Sequence, residues 1–222
     1  METFTSVNPA RPADVIGTFP VHGAADVDQA VETAAGAQRH WARVPVPARA
    51  EIIARAGAVL AGGKAELSRL VSREAGKILV EAGGDVQEAV DMASFVAGQG
   101  RSAWGETVPS ELGDKLCWTT RAPVGVVGMI TPWNFPVAIP SWKCFPALLA
   151  GNGIVLKPSE HAPVCAEAFV EACVEAGVPA ELIQVVHGRA DPARALATHP
   201  GVAALSFTGS VPTGRSVAAA AM

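Results

Sequence analysis

Apolar residues are spaced three or four apart along much of the first hundred residues, which is the spacing of one face of a helix. The first such set, which predicts a helix, consists of Val27, Ala30, Val31, Ala34 and Trp41. A second helix is predicted after Pro47 and ends at Gly62 and Gly63. A third ends near Gly76, and a fourth covers 86–96.

The segments on either side of these helices lack helical spacing. Residues 1–22 are predicted to be an irregular arm, because they contain three prolines, each of which removes a backbone donor. These prolines are Pro9, Pro12 and Pro20. Beyond Pro109 the run 116–120 predicts a short strand, which Pro123 separates from the apolar segment that follows.

From residue 124 onward, short apolar runs alternate with helical spacing. Strands are predicted at 124–130, 153–157, 182–186 and 203–207. Helices are predicted at 138–150, 162–176, 191–198 and 210–221. This alternation has the length of βαβ units, and strands that are apolar throughout are buried on both faces. We therefore predict an α/β fold with a mostly parallel, right-handed sheet of the Rossmann type, covered by helices on both faces and preceded by a helical region.

Composition narrows the class of protein. Half of the 222 residues are apolar, 17% are charged, and the net charge is −4. This balance supports a large core and predicts no binding of nucleic acid or anionic membrane. The sequence has no signal peptide pattern and no apolar run of about 18–20 residues, so we expect a cytoplasmic protein. The spacing of the four cysteines predicts reduced thiols, with neither a metal site nor disulfides. They are Cys117, Cys144, Cys165 and Cys173.

Parallel sheets bind ligands at the carboxyl ends of their strands. The loops expected at that edge contain TPWNFP, KPSE, HGRAD and FTGS. The dinucleotide motif GxGxxG is absent from the sequence, although a short GNG occurs at 151–153. A standard Rossmann phosphate turn is therefore excluded, and any nucleotide must be held in another way.

Three of these segments occur together in one order. They are TPWNFP at 131–136, AGNGIVLKPSE at 150–160 and FTGSVPTG at 207–214. With the REAGK segment at 73–77, they resemble the aldehyde dehydrogenase superfamily. The resemblance covers nearly the whole chain, and it implies an NAD-binding protein, with NADP possible, that acts on a small aldehyde. HGRAD matches the family least well and is assigned no role.

The resemblance implies that Lys157 and Glu160 bind the adenosine ribose hydroxyls and that Ser159, between them, also contacts the cofactor. A carboxylate at Glu160 would accept a hydrogen bond from a 2′-hydroxyl and repel a 2′-phosphate, which favours NAD. Pro158 keeps Lys157 out of a helix. The alternative from these residues alone is an exposed Lys–Glu pair without a ligand.

The resemblance also implies that the start of the last helix faces the pyrophosphate. Gly209 would permit a tight turn, Ser210 would open the helix, and Gly214 would let the helix approach the sheet or the cofactor. A helix N-terminus suits an anion because its N–H groups are free. The alternative is that Ser210 only caps a helix.

In TPWNFP, the family uses the amide of Asn134 in an oxyanion hole, which stabilises charge that develops on the aldehyde oxygen. The residues that would line the cofactor path are Ile130, Thr131, Pro132 and Trp133. The alternative is that Trp133 belongs to the core and Asn134 to a turn.

The family's nucleophilic cysteine and general-base glutamate would follow FTGS, and no residue of this sequence can be matched to them. Cys144 follows Asn134, but WKCFPALLAG has the pattern of a buried helix. We expect a truncated protein with an arm and helices over 1–114, a strand of the oligomerisation ribbon over 115–123, an incomplete cofactor-binding core over 124–222, and no catalytic domain.

Two functions are compatible with this pattern. The first is the cofactor-binding half of an aldehyde dehydrogenase, working as a homo-oligomer or with a complementing downstream polypeptide. The second is a nucleotide-binding or interaction module without catalysis. A neighbouring reading frame with the glutamate and cysteine segments would favour the first.

Overall fold

The computed structural model describes residues 2–102 and 104–222 of the chain. Its strands are β1 (Thr3–Asn8), β2 (Arg11–Pro20), β3 (Thr107–Val108), β4 (Cys117–Trp118), β5 (Val126–Ile130), β6 (Gly153–Lys157), β7 (Ile183–Val185) and β8 (Val202–Phe207). Its α-helices are α1 (Ala24–Trp41), α2 (Val46–Gly62), α3 (Lys64–Ala75), α4 (Leu79–Gly98), α5 (Ala138–Leu149), α6 (Pro163–Glu175), α7 (Ala190–Thr198) and α8 (Val211–Ala221). None of the helices in the described residues is both long and apolar enough to cross a membrane.

The predicted irregular arm over 1–22 is wrong, because this segment forms an antiparallel hairpin of β1 and β2. The prolines are compatible with the hairpin because of where each one lies. Pro9 is in the turn, Pro12 lies where the pairing register shifts, and Pro20 is at the end of β2. A proline at each of these places removes no hydrogen bond from a regular ladder.

The four predicted N-terminal helices are confirmed, with the fourth longer than the predicted 86–96. Local signals set their ends. Pro47 occupies the first turn of α2. Backbone N–H groups in the first turn of a helix have no acceptor within the helix, so a proline there removes no hydrogen bond. Gly76 ends α3 with a φ of 72°, in the left-handed region that favours glycine. The apolar faces of α2, α3 and α4 join one core with the sheet.

The segment between α4 and the sheet forms a small ribbon. The predicted strand over 116–120 is observed only as β4, which pairs antiparallel with β3. β3 was not predicted, because two residues are too few to show an alternating pattern. The ribbon carries exposed apolar side chains, with Leu116 72% and Trp118 64% exposed.

These exposed side chains lead us to expect that the purified chain self-associates. A two-stranded ribbon is marginal alone and offers unpaired edges to other chains. Light scattering at micromolar concentration should show species larger than a monomer, and Leu116→Ser with Trp118→Ser should reduce them. Val80→Ser is the matched control, because Val80 is 77% exposed on α4, outside the ribbon. A stable monomer of the unaltered chain would contradict this expectation.

The central sheet has four strands in the order β7-β6-β5-β8, all paired in parallel. The predicted strands and helices of this region are confirmed to within about two residues at their ends. Successive residues of β5 face opposite sides: Met129 belongs to the core shared with α5 and α6, and Ile130 to the core shared with α1 and α7. The sheet is therefore covered by helices on both faces, as predicted.

Burial on both faces holds for β5 and β6, all of whose residues are buried. It is wrong for β8, where every residue is partly or fully exposed. β8 is the last strand on its side of the sheet within the described residues, and α8, which follows it, has no buried residue. An apolar sequence predicts a strand, but the neighbours of that strand decide its burial.

Candidate cofactor and oxyanion site

The motifs meet at the carboxyl edge of the sheet, around β5. The chain passes from β5 through α5 to β6 on one side, whereas β8 lies on the other side. Ile130 pairs in register with Lys157 of β6 and Phe207 of β8. The N–H of Thr131 donates to the Lys157 carbonyl at 3.1 Å, and the N–H of Thr208 donates to the Ile130 carbonyl at 3.0 Å. Adjacent connections that diverge in this way leave a crevice at the strand ends, where open α/β sheets bind ligands.

At the end of β6, Lys157 is buried and Glu160 is partly exposed. The Lys157 ammonium lies 3.8 Å from a carboxylate oxygen of Glu160, which is ion-pair distance but too long for a hydrogen bond. Burial lowers the pKa of Lys157, and the Glu160 charge counteracts this by raising it. The alternative interpretation, an exposed Lys–Glu pair, is therefore wrong for Lys157. A buried ammonium that has no hydrogen-bond acceptor among the described residues suits a ligand oxygen.

Ser159 is buried within a turn between these two residues. Its carbonyl accepts a hydrogen bond from the N–H of Ala162 at 3.1 Å, and its hydroxyl accepts one from the N–H of His161 at 3.3 Å. These bonds hold the turn that separates Lys157 from α6. The conformation of the loop after β6 is thus stabilised by hydrogen bonds within the loop itself.

At the end of β5, residues 131–137 form a loop without regular structure. Thr131 is buried, and its hydroxyl has no hydrogen-bond partner in the described part of the chain. Trp133 is 51% exposed, so it does not belong to the core. Trp133 and Glu160 line the same open cavity of about 400 Å³, which brings the TPWNFP and KPSE motifs to one place.

Two charged residues that the sequence analysis did not single out hold this loop. The Lys77 ammonium donates to the backbone carbonyl of Asn134 at 2.8 Å and lies 3.6 Å from the centre of the Phe135 ring. A carboxylate oxygen of Asp85 accepts a hydrogen bond from the N–H of Ala138 at 2.8 Å. Lys77 lies in the REAGK motif, but no motif in the sequence marks Asp85.

At the end of β8, the phenyl ring of Phe207 leaves little room for a side chain at either glycine of FTGSVPTG. A Cβ at Gly209 would come within 2.6 Å of this ring, and one at Gly214 within 3.1 Å. Gly209 does not have a positive φ, so space rather than backbone conformation requires a glycine there. Gly214 lets α8 approach the sheet through Phe207, as predicted.

The predicted opening of the last helix at Ser210 is confirmed. Its hydroxyl accepts from the N–H of Thr213 at 3.4 Å, which makes Ser210 the N-cap of α8. The first turn contains no acidic residue, and Gly209, Ser210 and Val211 are all exposed. This helix N-terminus is therefore open to an anion.

Cys144 is fully buried in α5, with its sulfur 3.6 Å from that of Met129. Burial raises the pKa of the Cys144 thiol to about 12. Such a thiol is neither accessible nor ionised near neutral pH, so the predicted role as core is confirmed. The neighbouring Lys143, also missed by the sequence analysis, donates to the Ser206 hydroxyl at 2.8 Å and joins α5 to β8.

The two remaining glycine-containing segments make contacts within the protein. The side-chain oxygen of Asn152 accepts from the N–H groups of Val124 and Gly125 at 2.8 and 3.1 Å, so GNG joins the amino ends of β5 and β6. In HGRAD, His187 is buried and bonded to Glu167 at 2.8 Å. GNG lies at the edge of the sheet opposite the crevice, and His187 is held by contacts within the protein.

Comparison with known proteins agrees with this geometry. A sequence model of the aldehyde dehydrogenase family matches residues 1–222. Malonate-semialdehyde dehydrogenase 1 of Shouchella clausii (strain KSM-K16) is 40% identical over 211 residues, which are 95% of this chain and 43% of that protein.

Two solved structures have the same fold at substantial identity. An NADP dependent enzyme of E. coli superposes with a TM-score of 0.95 and 36% identity, covering 99% of this chain and 46% of its own. An NAD-dependent benzaldehyde dehydrogenase from Corynebacterium glutamicum superposes with a TM-score of 0.93 and 33% identity, covering 99% and 48%. The chain spans less than half the length of these relatives. With the family match over its whole length, and the three motifs at one edge of the sheet, this chain belongs to the aldehyde dehydrogenase family.

Proposed function

We propose that this chain is the cofactor-binding half of an NAD(P)-dependent aldehyde dehydrogenase, with the dinucleotide across the carboxyl ends of β5, β6 and β8. The observation that carries the proposal is the convergence of three motifs on Ile130, which pairs with Lys157 on one side and Phe207 on the other. Each motif supplies a group suited to a different part of a dinucleotide. The bound nicotinamide would accept the hydride that leaves the aldehyde carbon.

Lys157 and Glu160 would hold the adenosine ribose. The ammonium donates to a ribose oxygen, and the carboxylate accepts from a hydroxyl. The ion-pair distance of 3.8 Å leaves both groups able to bond a ligand instead of each other. Because Lys157 is already buried, its hydrogen bond to a ligand is little weakened by water.

The start of α8 would hold the pyrophosphate. A phosphate oxygen can accept from free backbone N–H groups at a helix N-terminus, where the helix dipole also favours negative charge. Exposed residues 209–211 are available for this contact. The absence of acidic residues from the first turn of α8 removes a competing charge. Ser210 caps the helix and, in this proposal, also borders the ligand.

Asn134 would donate from its side-chain amide to the aldehyde oxygen. It is exposed in the loop after β5, close to the cofactor path formed by Ile130, Thr131, Pro132 and Trp133. A positioned neutral donor contributes about 3 kcal/mol to stabilisation of an oxyanion. Asn134 thus provides electrostatic assistance, and the covalent step requires a thiolate from elsewhere.

Glu160 leads us to expect that NAD binds more tightly than NADP. Its carboxylate would repel the 2′-phosphate, so Glu160→Gln should reduce the NAD preference by about tenfold, equivalent to about 1.4 kcal/mol. Calorimetric titration with both nucleotides measures this ratio. Glu171→Gln is the control, since it removes one exposed acidic charge of α6. Equal or tighter NADP binding by the unaltered chain would contradict the role of Glu160.

A second candidate function, a nucleotide-binding module without catalysis, is favoured by the state of the thiols. Cys144, Cys165 and Cys173 are buried, and burial raises the pKa of each above its ordinary value. Cys117 is partly buried in the ribbon, on β4. Restoration of aldehyde oxidation by a second polypeptide that carries a cysteine would favour the enzyme. NAD binding that no such polypeptide converts to turnover would favour the module.

A further inference from the structure

Lys77 reaches from the end of α3 to the loop that carries Asn134. Its ammonium donates to the Asn134 carbonyl at 2.8 Å and lies 3.6 Å from the centre of the Phe135 ring. Lys77 therefore holds the peptide group between Asn134 and Phe135 by two contacts. One is with the carbonyl oxygen of Asn134, and the other is with the ring of Phe135. A charged donor forms a stronger hydrogen bond than a neutral one.

Asp85 holds the other end of the same segment. It is fully buried in α4, and one carboxylate oxygen accepts from the N–H of Ala138, the first residue of α5, at 2.8 Å. Its second oxygen has no partner in the described part of the chain. Burial raises the pKa of the Asp85 carboxyl, which the Ala138 bond and the Lys77 charge oppose. A carboxylate that is buried with one oxygen unpartnered is consistent with a specific role at this site, which here is to hold the start of α5.

The loop between these two contacts has few bonds of its own. At its start, the N–H of Thr131 donates to the Lys157 carbonyl. At its end, the carbonyls of Phe135 and Val137 accept from the N–H groups of Ile139 and Ser141 in α5. A loop with so few bonds of its own samples several backbone conformations unless other groups hold it. The direction of the Asn134 side chain follows the backbone at that residue.

We propose that Lys77 and Asp85 are positioning residues that hold 134–138 in one conformation and thereby direct the Asn134 amide to the aldehyde oxygen. The inference rests on the proposed function for the identity of the oxygen, but the restraint on the loop stands independently. Neither residue contacts the substrate in this proposal. Both act through the backbone of the loop from the helical layer beside the sheet.

Hydrogen exchange of the purified chain tests the restraint. Lys77→Met should speed exchange of the backbone amides between Thr131 and Ile139 by about tenfold, while exchange in β5 and β6 stays unchanged. Lys77→Arg should restore slow exchange, because it retains a charged donor. The matched control is Lys64→Met, which removes a lysine whose ammonium bonds Gln87 at 2.6 Å between α3 and α4.

A second readout follows Asn134 itself. In an amide nuclear magnetic resonance spectrum, the side-chain NH₂ signals of Asn134 should shift or broaden in Lys77→Met and return in Lys77→Arg. Asp85→Ala should speed hydrogen exchange of the Ala138 amide. If Asp85→Ala does not fold, the Lys77 variants still test the inference, because Lys77 is partly exposed and its replacement should leave the fold intact. Unchanged exchange in Lys77→Met, or faster exchange throughout the chain, would overturn the inference. Failure of the unaltered chain to bind NAD would instead overturn the proposed function and leave the restraint intact.

Discussion

Addition of NAD and an aldehyde to the purified 222-residue chain is expected to produce no NADH. In the proposed function, the reaction needs a thiolate beside Asn134, and we expect none of the described cysteines to supply it. Cys144 is fully buried with its pKa raised to about 12 by that burial. Cys165 and Cys173 are buried in α6, and burial raises the pKa of both well above the ordinary value. Loss of a nucleophile typically lowers turnover by several orders of magnitude.

The assay is the appearance of NADH absorbance with several aldehydes, run beside Cys144→Ser and Cys117→Ser. Turnover by the unaltered chain that Cys144→Ser abolishes would overturn the burial argument. Turnover that appears only after a second polypeptide is added would show that the nucleophile comes from that polypeptide. The calorimetric test of NAD binding is the control, because a chain that binds no cofactor would be inactive for a different reason.

Replacement of Glu74 is expected to cause a large loss of stability. Glu74 is buried at the end of α3, and its carboxylate accepts hydrogen bonds from the Ser6 hydroxyl at 2.6 Å and from the N–H groups of Val164 and Cys165 at 3.0 and 2.8 Å. It therefore caps the N-terminus of α6 and joins that helix to β1. Glu74→Ala should lower the free energy of unfolding by about 3 kcal/mol, because it leaves buried donors without acceptors.

Urea denaturation measures the change. Glu66→Ala is the control on the same helix, since the Glu66 side chain is 82% exposed and pairs with the exposed Arg69. Its effect should stay within about 0.5 kcal/mol, as for other exposed ion pairs. Glu74→Gln should fall between the two, because an amide keeps one acceptor oxygen. A Glu74→Ala chain as stable as the control would show that other groups cap α6.

The helices and strands of the sheet region were predictable because their signals are local. The apolar run of β6 lies between Gly153 and Pro158, and its predicted bounds match the observed ones. Ser210 before α8 and Gly76 after α3 are capping residues whose preference depends on backbone geometry at a single position. Such signals need no knowledge of distant residues.

The N-terminal hairpin shows where local signals fail. Three prolines within twenty residues favour an irregular arm, yet each lies at a turn, a register shift or a strand end. Whether a proline interrupts a strand depends on which of its neighbours need a hydrogen-bond partner. The pairing of β1 with β2 decides which backbone groups need a partner, and the sequence of either strand alone does not predict this pairing.

The sequence by itself determined the family resemblance, the order of βαβ units and the motif residues at the strand ends, because spacing and glycine placement record local geometry. Only the tertiary structure decided which distant groups the charged side chains bind. Lys77 bonds a residue 57 positions away, Asp85 one 53 positions away, and Glu74 one 91 positions away. The physical reason is that these partners are far apart in the sequence, so that only folding brings them together. For the buried Asp85 and Glu74, the partner also offsets the cost of burying a charge.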